Sequence, residues 1–380
     1  MAGERILIAA FSGRALAQSA RRAGFEPLVV DAFGDLDTRA AAAAFRIVPG
    51  AMQTGFRTKP LVRALDELAS ASRAPPIGLV LGSGLEDKPR LVASLQNRYR
   101  LLGSAAETYK SAKDPRTFFA ALDDLDIAHP ETQTSPPADP SGFISKRIGG
   151  SGGRHIRMCH GPQHLRPRRY FQRHMEGDRI SAGAIFWGRS ATGSHSLISL
   201  TRQWISPSAD EAFRFGGCVS GPDVDDKIRA TIIDAAERVA TRFNLVGMAS
   251  FDFIVSHARP HLLEVNPRPG ASLDVLDDDE GYWFKAHVAA CCETSIPQPH
   301  RPPRFARAIA IAHADRGPLT LGDTPWPDWS ADRGAPGTAV PTGAPLATVF
   351  AEAPTADAAE ALARTRLTEL QDLIYGHAKS

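Results

Sequence analysis

Apolar residues in this chain first appear as short continuous runs, then as helical repeats, and finally as a hairpin. Residues 5–11 (RILIAAF) form an apolar run of strand length, the pattern of a buried strand. Ser12, Gly13 and Arg14 make a turn. Residues 15–23 are helix formers that stop at Gly24, a helix C-terminal signal. Residues 26–31 (EPLVVD) are the next strand. This β-α-β order predicts a parallel sheet with a right-handed crossover. Residues 77–81 (IGLVL) are a further strand, followed by the polar turn 82–86 (GSGLE).

The middle of the chain has a different rhythm. Lys113, Asp114 and Pro115 open a helix over residues 116–125, with Pro near its first turn. After a Pro-rich turn at 135–140 comes a strand, residues 142–146 (GFISK), and then a loop, residues 149–153 (GGSGG). Residues 169–175 (RYFQRHM) read as a strand entering a turn at 176–178, and residues 180–187 as the returning strand. Ile228, Ile232, Ala235, Val239 and Phe243 recur every three to four residues, which predicts a helix over 224–243 with one buried face. Residues 247–255 (GMASFDFIV) and 260–268 (PHLLEVNPR), joined at 256–259, make a hairpin. Towards the end, strands are expected at 306–314 and 346–351, and a helix from the N-cap Thr355 to about Tyr375. Trp326 and Trp329 read as packing residues, and the acidic run 274–280 as a solvated turn.

At 380 residues the chain is long enough for two or three domains. The elements above sharpen this to three: 1–105, 106–295 with a lid at about 130–180, and a small α+β segment over 296–380. The 32 Gly and 29 Pro fall short of a low-complexity composition, and 43% hydrophobic content argues against global disorder. No apolar stretch approaches the ~18–20 residues of a membrane helix. The N-terminal run lacks a cleavage-site pattern, so neither a membrane partner nor a signal peptide is expected. Cys159, Cys218, Cys291 and Cys292 form no CxxC pair and read as reduced, buried thiols of a cytoplasmic protein. The first strand is not followed by G-x-G-x-x-G, which argues against a dinucleotide site. Ser12 and the Ser83/Glu86 turn lie where open α/β sheets bind ligands, beyond the carboxyl ends of strands. They are therefore substrate candidates as well as ordinary turn residues.

The net charge of +2 hides strong local asymmetry. Between Lys146 and Met175 stand eight Lys and Arg residues and no acid. The stretch fits a triphosphate lid, a nucleic-acid patch or a solvated face. The adjoining glycines Gly149, Gly150, Gly152 and Gly153, with Ser151 among them, favour phosphate, because their backbone N–H groups can turn inward. The sequence is not a Walker A loop, since Lys146 precedes the glycines. Downstream, Asp252 lies within an apolar strand. Glu264 and Asn266 are two apart, on the same side of the next strand. Two carboxylates and an amide oxygen are hard ligands suited to Mg²⁺ bridging phosphates. Their alternative is a pair of acids salt-bridged to Arg.

Taken in order, these residues resemble the ATP-grasp superfamily. The features are a Lys before a helix, a second Lys ending a strand before a Gly-rich loop, a strand–turn, and a hairpin carrying acid…E-x-N-x-R. The resemblance implies an α/β protein, α+β in parts, with a Rossmann-like pre-ATP-grasp domain, a Gly-rich lid subdomain and a small C-terminal α+β segment. By resemblance, Lys113, Lys146 and the loop 149–153 bind ATP phosphates. Gln172, Arg173 and Met175 flank adenine, Asp178 is the nearest candidate for the ribose, and Asp252, Glu264 and Asn266 hold Mg²⁺ or Mn²⁺. Lys146 and Arg268 act in catalysis, Arg268 at the acyl phosphate. Ser12, Ser83, Glu86 and Ser272 are candidate substrate contacts. The chain looks similar to uncharacterised ligases of methanogens and methylotrophs, which implies a role in cofactor biosynthesis (one-carbon, pterin or furan). The implied activity is ADP-forming carboxylate–amine ligation of small molecules, without nucleic acid, with a homodimer as the assembly the resemblance suggests. The alternatives are a nucleotide-binding regulator without turnover, and a nucleic-acid binder using residues 146–175.

Overall fold

A computed structural model describes residues 3–72, 74–161, 163–164, 166–187, 196–295, 297 and 303–377. The domain boundary expected at Ile296 lies outside these residues. The N-terminal unit is a four-stranded sheet in the order Ala44–Ile47, Glu26–Asp31, Arg5–Ala9, Leu79–Leu81. Every pairing is parallel, with Ile8 opposite Val29 and Val80. The apolar runs are continuous because helices cover both faces of such a sheet. Leu7, Ala9, Leu28 and Val30 pack with Leu61, Leu65 and Leu91 on one face. Ile6, Ile8 and Val29 pack with Leu16 and Ala20 on the other. The turns 10–14 and 82–87 leave this sheet at its carboxyl edge.

The rest of the chain is organised by an eight-stranded sheet. Its first members are Arg259–Asn266, Gly247–Ser256, Asp178–Phe186, Ser196–Ile205 and Phe215–Ser220. The C-terminal strands Ala306–His313, Pro345–Ala353 and Ser330–Ala331 extend the same sheet. The helix Asp226–Phe243 packs Ile232, Ala235 and Val239 against it. Asp225 caps this helix by accepting from the Lys227 and Ile228 N–H groups at 2.9 and 3.3 Å. Asn244, left-handed at φ 52°, closes it. Thr355 caps the last helix, Ala356–Gly376, as expected. Trp326 and Trp329 pack against the C-terminal core.

Three expectations change. The turn at 176–178 is shorter, because Asp178 already pairs with Val255 in the sheet. Lys113 belongs to the last turn of the helix Ala106–Lys113 and stands immediately before the next helix, Pro115–Asp124, whose N-cap is Asp114. The acidic run is not uniformly solvated. Asp274 is bound by Arg14, and Asp277 accepts from Arg22 and Ser19 at 2.6 Å and from the Trp283 N–H at 2.9 Å. Among the described residues, no helix is long and apolar enough to cross a membrane.

Residues 132–173 also form a small antiparallel sheet, in the order Thr132–Gln133, Arg169–Arg173, Phe143–Arg147, Arg157–Met158. Its core is Phe143, Cys159 and Phe171. The glycine-rich loop projects from this small sheet towards the other two units.

Candidate active site

The hairpin supplies the acids. Its strands pair antiparallel with Asp252 opposite Glu264 and Ser250 opposite Asn266, so the three polar side chains share one face. The connecting turn is tight because both His257 and Ala258 take positive φ, 49° and 59°. The two carboxylates disagree in their affinity for a proton. Burial and the neighbouring charge of Glu264 push Asp252 up. Burial would also raise Glu264, but Lys113, Lys146 and His155 outweigh it and hold Glu264 well below the usual range.

The cations come from elsewhere. Lys113 Nζ donates to Asn266 Oδ1 at 2.7 Å. Lys146, 4% exposed at the end of its strand, lies 3.9 Å from Glu264 Oε2. Its Nζ donates to Gln172 Oε1 at 3.4 Å, and Gln172 in turn donates to Thr132 Oγ1 at 3.1 Å. Asp252 also accepts from Gln203 at 3.3 Å, from a strand the hydropathy pattern does not announce.

This donor set fits a small hard cation. Among the described residues, no group of three or more His, Cys, Asp and Glu side chains forms a metal site. Two carboxylates and an amide suit Mg²⁺, which takes one or two carboxylates and completes its shell with phosphates and water. The two adjoining, half-buried acids also need a positive partner, as the raised Asp252 indicates. Asn266 now donates to Asp252 and Glu264 at 3.4 and 3.2 Å. An amide flip would turn its oxygen towards a cation and free Lys113 for an anion.

Arg268 and Glu86 meet across 182 residues. Glu86 is 1% exposed and Arg268 8%. Arg268 donates Nε and Nη2 to Glu86 Oε1 at 2.7 and 2.6 Å, and Nη1 to the Pro269 carbonyl at 3.0 Å. The other Glu86 oxygen accepts from the Gly84 and Leu85 N–H groups. Burial opposes the Glu86 charge, but Arg268 and Lys113 hold its proton affinity low. Glu86 therefore anchors Arg268, which narrows the substrate contact expected of it. Ser272 lies beside Arg268: a Cβ on Gly270 would be 3.5 Å from Ser272 Oγ and 3.6 Å from Arg268 Nη1. Ser83 accepts from the Phe11 N–H through its carbonyl. Ser12 goes elsewhere, donating to Asp332 at 3.2 Å.

The glycine-rich loop packs against the Asp87 turn and the Phe213 backbone. Gly149 and Gly153 have φ 67° and 73°. A Cβ on Gly149 would come within 2.6 Å of Asp87 Cα, and one on Gly153 within 1.8 Å of the Phe213 carbonyl oxygen. Only glycine allows that approach. Arg168 and Arg147 face Asp87 at 3.5 and 3.8 Å, and Arg154 pairs with Glu211 at 2.7 Å. The basic stretch thus finds several partners within the chain.

The expected adenine strand is only partly as read. Gln172 points to Lys146, but the Arg173 side chain turns outward to Glu131 at 2.9 Å and stacks on Phe143. Its side chain is therefore committed away from the cleft. Met175 is half-buried and Asp178 exposed beyond it. His155 is the residue whose place the sequence did not reveal; the structure brings it under the influence of Glu264 and Lys146.

Residues 112–272 match the family model described as an ATP-grasp domain. The fold is similar to N5-carboxyaminoimidazole ribonucleotide synthetase in its ADP complex, at 13% identity and TM-score 0.68, covering 98% of each chain. It is similar to the biotin carboxylase domain of the Hydrogenobacter thermophilus 2-oxoglutarate carboxylase with MgADP, ADP and bicarbonate. That match has 12% identity and TM-score 0.70, and covers 100% of this chain and 91% of the other. An L-amino acid ligase from Bacillus licheniformis matches at 12% identity and TM-score 0.68, covering 97% and 98%.

Proposed function

We propose that this chain, whose residues 112–272 form an ATP-grasp domain, is an ATP- and Mg²⁺-dependent ligase joining a carboxylate to an amine. The supporting observation is the convergence of Lys113 and Lys146 with Asp252, Glu264 and Asn266. A carboxylate oxygen of the substrate attacks the γ-phosphorus of ATP, and ADP leaves with the bridging oxygen. The amine then attacks the acyl carbon, inorganic phosphate departs, and the new amide nitrogen loses a proton.

Lys113, Lys146 and the loop amides neutralise and orient the phosphates, so that phosphoryl transfer is helped by position and charge. Asp252, Glu264 and Asn266 hold Mg²⁺, which supplies charge neutralisation on the phosphate oxygens. Gln172 and Met175 border adenine, Arg173 contributes only backbone, and Asp178 is in reach of the ribose. Arg268, oriented by Glu86, presents its positive charge to the transferring group. Closure of the loop excludes water, which would otherwise hydrolyse the acyl phosphate. In this reading residues 1–105 carry the carboxylate-side pocket, 106–295 the nucleotide site with its lid at about 130–180, and 296–380 close the sheet.

Mg-ADP should raise the melting temperature, and Glu264→Ala should abolish the rise. Release of ADP and phosphate across panels of carboxylic acids and amines then identifies the substrates. No shift in the wild type would remove the nucleotide reading, and AMP with pyrophosphate as products would reject the acyl-phosphate route.

A further inference from the structure

His155 lies at the root of the glycine-rich loop, and the nucleotide reading leaves it without a task. Both ring nitrogens are removed from solvent, and neither has a partner in good hydrogen-bond geometry. The Ser151 carbonyl lies close enough to favour an N–H on the ring, but at most one nitrogen can use it. A buried, unbonded polar nitrogen costs about 1–3 kcal/mol, so such a side chain is expected where a partner arrives later.

Its surroundings indicate which partner. Glu264 and Lys146, at the centre of the acid and cation cluster, both act on the ring. The backbone is fixed, because the His155 carbonyl accepts from Arg169 at 2.9 Å and the Ile156 N–H donates to Gly153. The ring presses on the loop itself: a Cβ on Gly150 would come within 2.4 Å of it. His155 is therefore held against the loop where the loop meets the cleft.

We propose that His155 is a binding residue for the terminal phosphoryl group, donating a ring N–H to a γ-phosphate oxygen of the bound nucleotide. The proposal rests on the nucleotide site described above. Burial keeps the ring from protonating until about pH 4, so near neutrality it offers one N–H and one lone pair. A neutral donor suits a position beside Lys146, because it adds a directed hydrogen bond without another buried charge. It also distinguishes the two nucleotides, since ADP has no γ-phosphate to receive the bond.

The test measures Mg-AMP-PNP and Mg-ADP affinities by calorimetry for the wild type, His155→Ala and His155→Gln. The expected result is a loss of about tenfold or more for AMP-PNP in His155→Ala, with ADP within about twofold, and partial recovery in His155→Gln, which keeps a donor. Unchanged AMP-PNP affinity would overturn the proposal and leave the nucleotide site standing. Equal losses for both nucleotides would also overturn it, by showing that the ring only packs the loop. A wild type that binds neither nucleotide would instead remove the ligase reading, and this proposal with it.

Discussion

Replacing Glu86 with Gln removes the one carboxylate that Arg268 touches among the described residues, and the structure gives the size of the effect. Arg268 delivers Nε and Nη2 to one Glu86 oxygen at 2.7 and 2.6 Å, with both residues buried. Gln keeps an oxygen for the Gly84 and Leu85 N–H groups but turns an NH₂ towards the guanidinium. Breaking one side of a buried pair costs about 3–5 kcal/mol, because the remaining charge is left without compensation. Lys113, whose charge also acts on Glu86, sharpens the loss. A chain of 380 residues has an unfolding entropy of roughly 0.8 kcal/mol per kelvin at ~2.1 cal/mol/K per residue. The melting temperature should therefore fall by about 4–6 °C. Scanning calorimetry of Glu86→Gln, Arg268→Met and the double variant measures this directly. The double variant should lose less than the sum of the singles, because neither charge is then stranded. A shift below about 1 °C in Glu86→Gln, or additivity within about 0.5 kcal/mol, would show that Glu86 does not hold Arg268.

Other outcomes follow from the same geometry. His287 accepts from the Met248 N–H at 2.8 Å through Nδ1 and faces the Leu102 carbonyl through Nε2, an arrangement only the neutral ring can make. Burial lowers it to about 4. The unfolded chain takes up this proton near pH 6.5 and the folded chain does not, so stability is present above pH 6.5 and is lost as pH falls towards 4. The loss reaches about 3 kcal/mol; urea melts at several pH values will show it, and His287→Gln should flatten the slope. Arg14→Met should destabilise by about 3–5 kcal/mol at pH 8, since the half-buried Asp274 and Asp332 then face each other without their shared, buried cation. The deficit should shrink at pH 5, where the acids can take protons; equal deficits at both pH values would contradict this. Gly153→Ala forces a Cβ against the Phe213 carbonyl, so the loop should fail to close. The Mg-ADP thermal shift should then drop sharply while the ligand-free melting temperature moves far less. Chelation with EDTA should remove most of that shift in the wild type, as the proposed Mg²⁺ dependence requires.

Much of the site can be read from local pattern. Strand alternation places Glu264 and Asn266 on one side of a strand, and the hairpin then sets Asp252 opposite Glu264. Thr355 marks a helix start because a side-chain oxygen next to a helix satisfies its first N–H groups. The β-α-β opening implies a parallel sheet because no short turn can join parallel strands. These inferences need only neighbours two to four residues apart, and the sequence states those directly.

What it does not state is who meets whom across the fold. Phe215–Ser220 carries two glycines and gives little strand signal. Gly217 is there because a Cβ would strike the Ile309 carbonyl and the Trp204 ring. The acidic run reads as a solvated turn, but Arg14 and Arg22, more than 250 residues away, bury two of its members. Arg14 also binds Asp332, 318 residues on, at 2.8 Å. Glu86 looks like a free substrate contact until folding delivers Arg268 to it, and His155 has no visible partner until folding brings it under the charge of Glu264 and Lys146. Sequence by itself therefore determined the periodic elements and the residue types at the site, because sterics and alternation act between near neighbours. Tertiary structure alone decided which buried charges are compensated and which polar groups are left waiting, because those depend on through-space distance and dielectric.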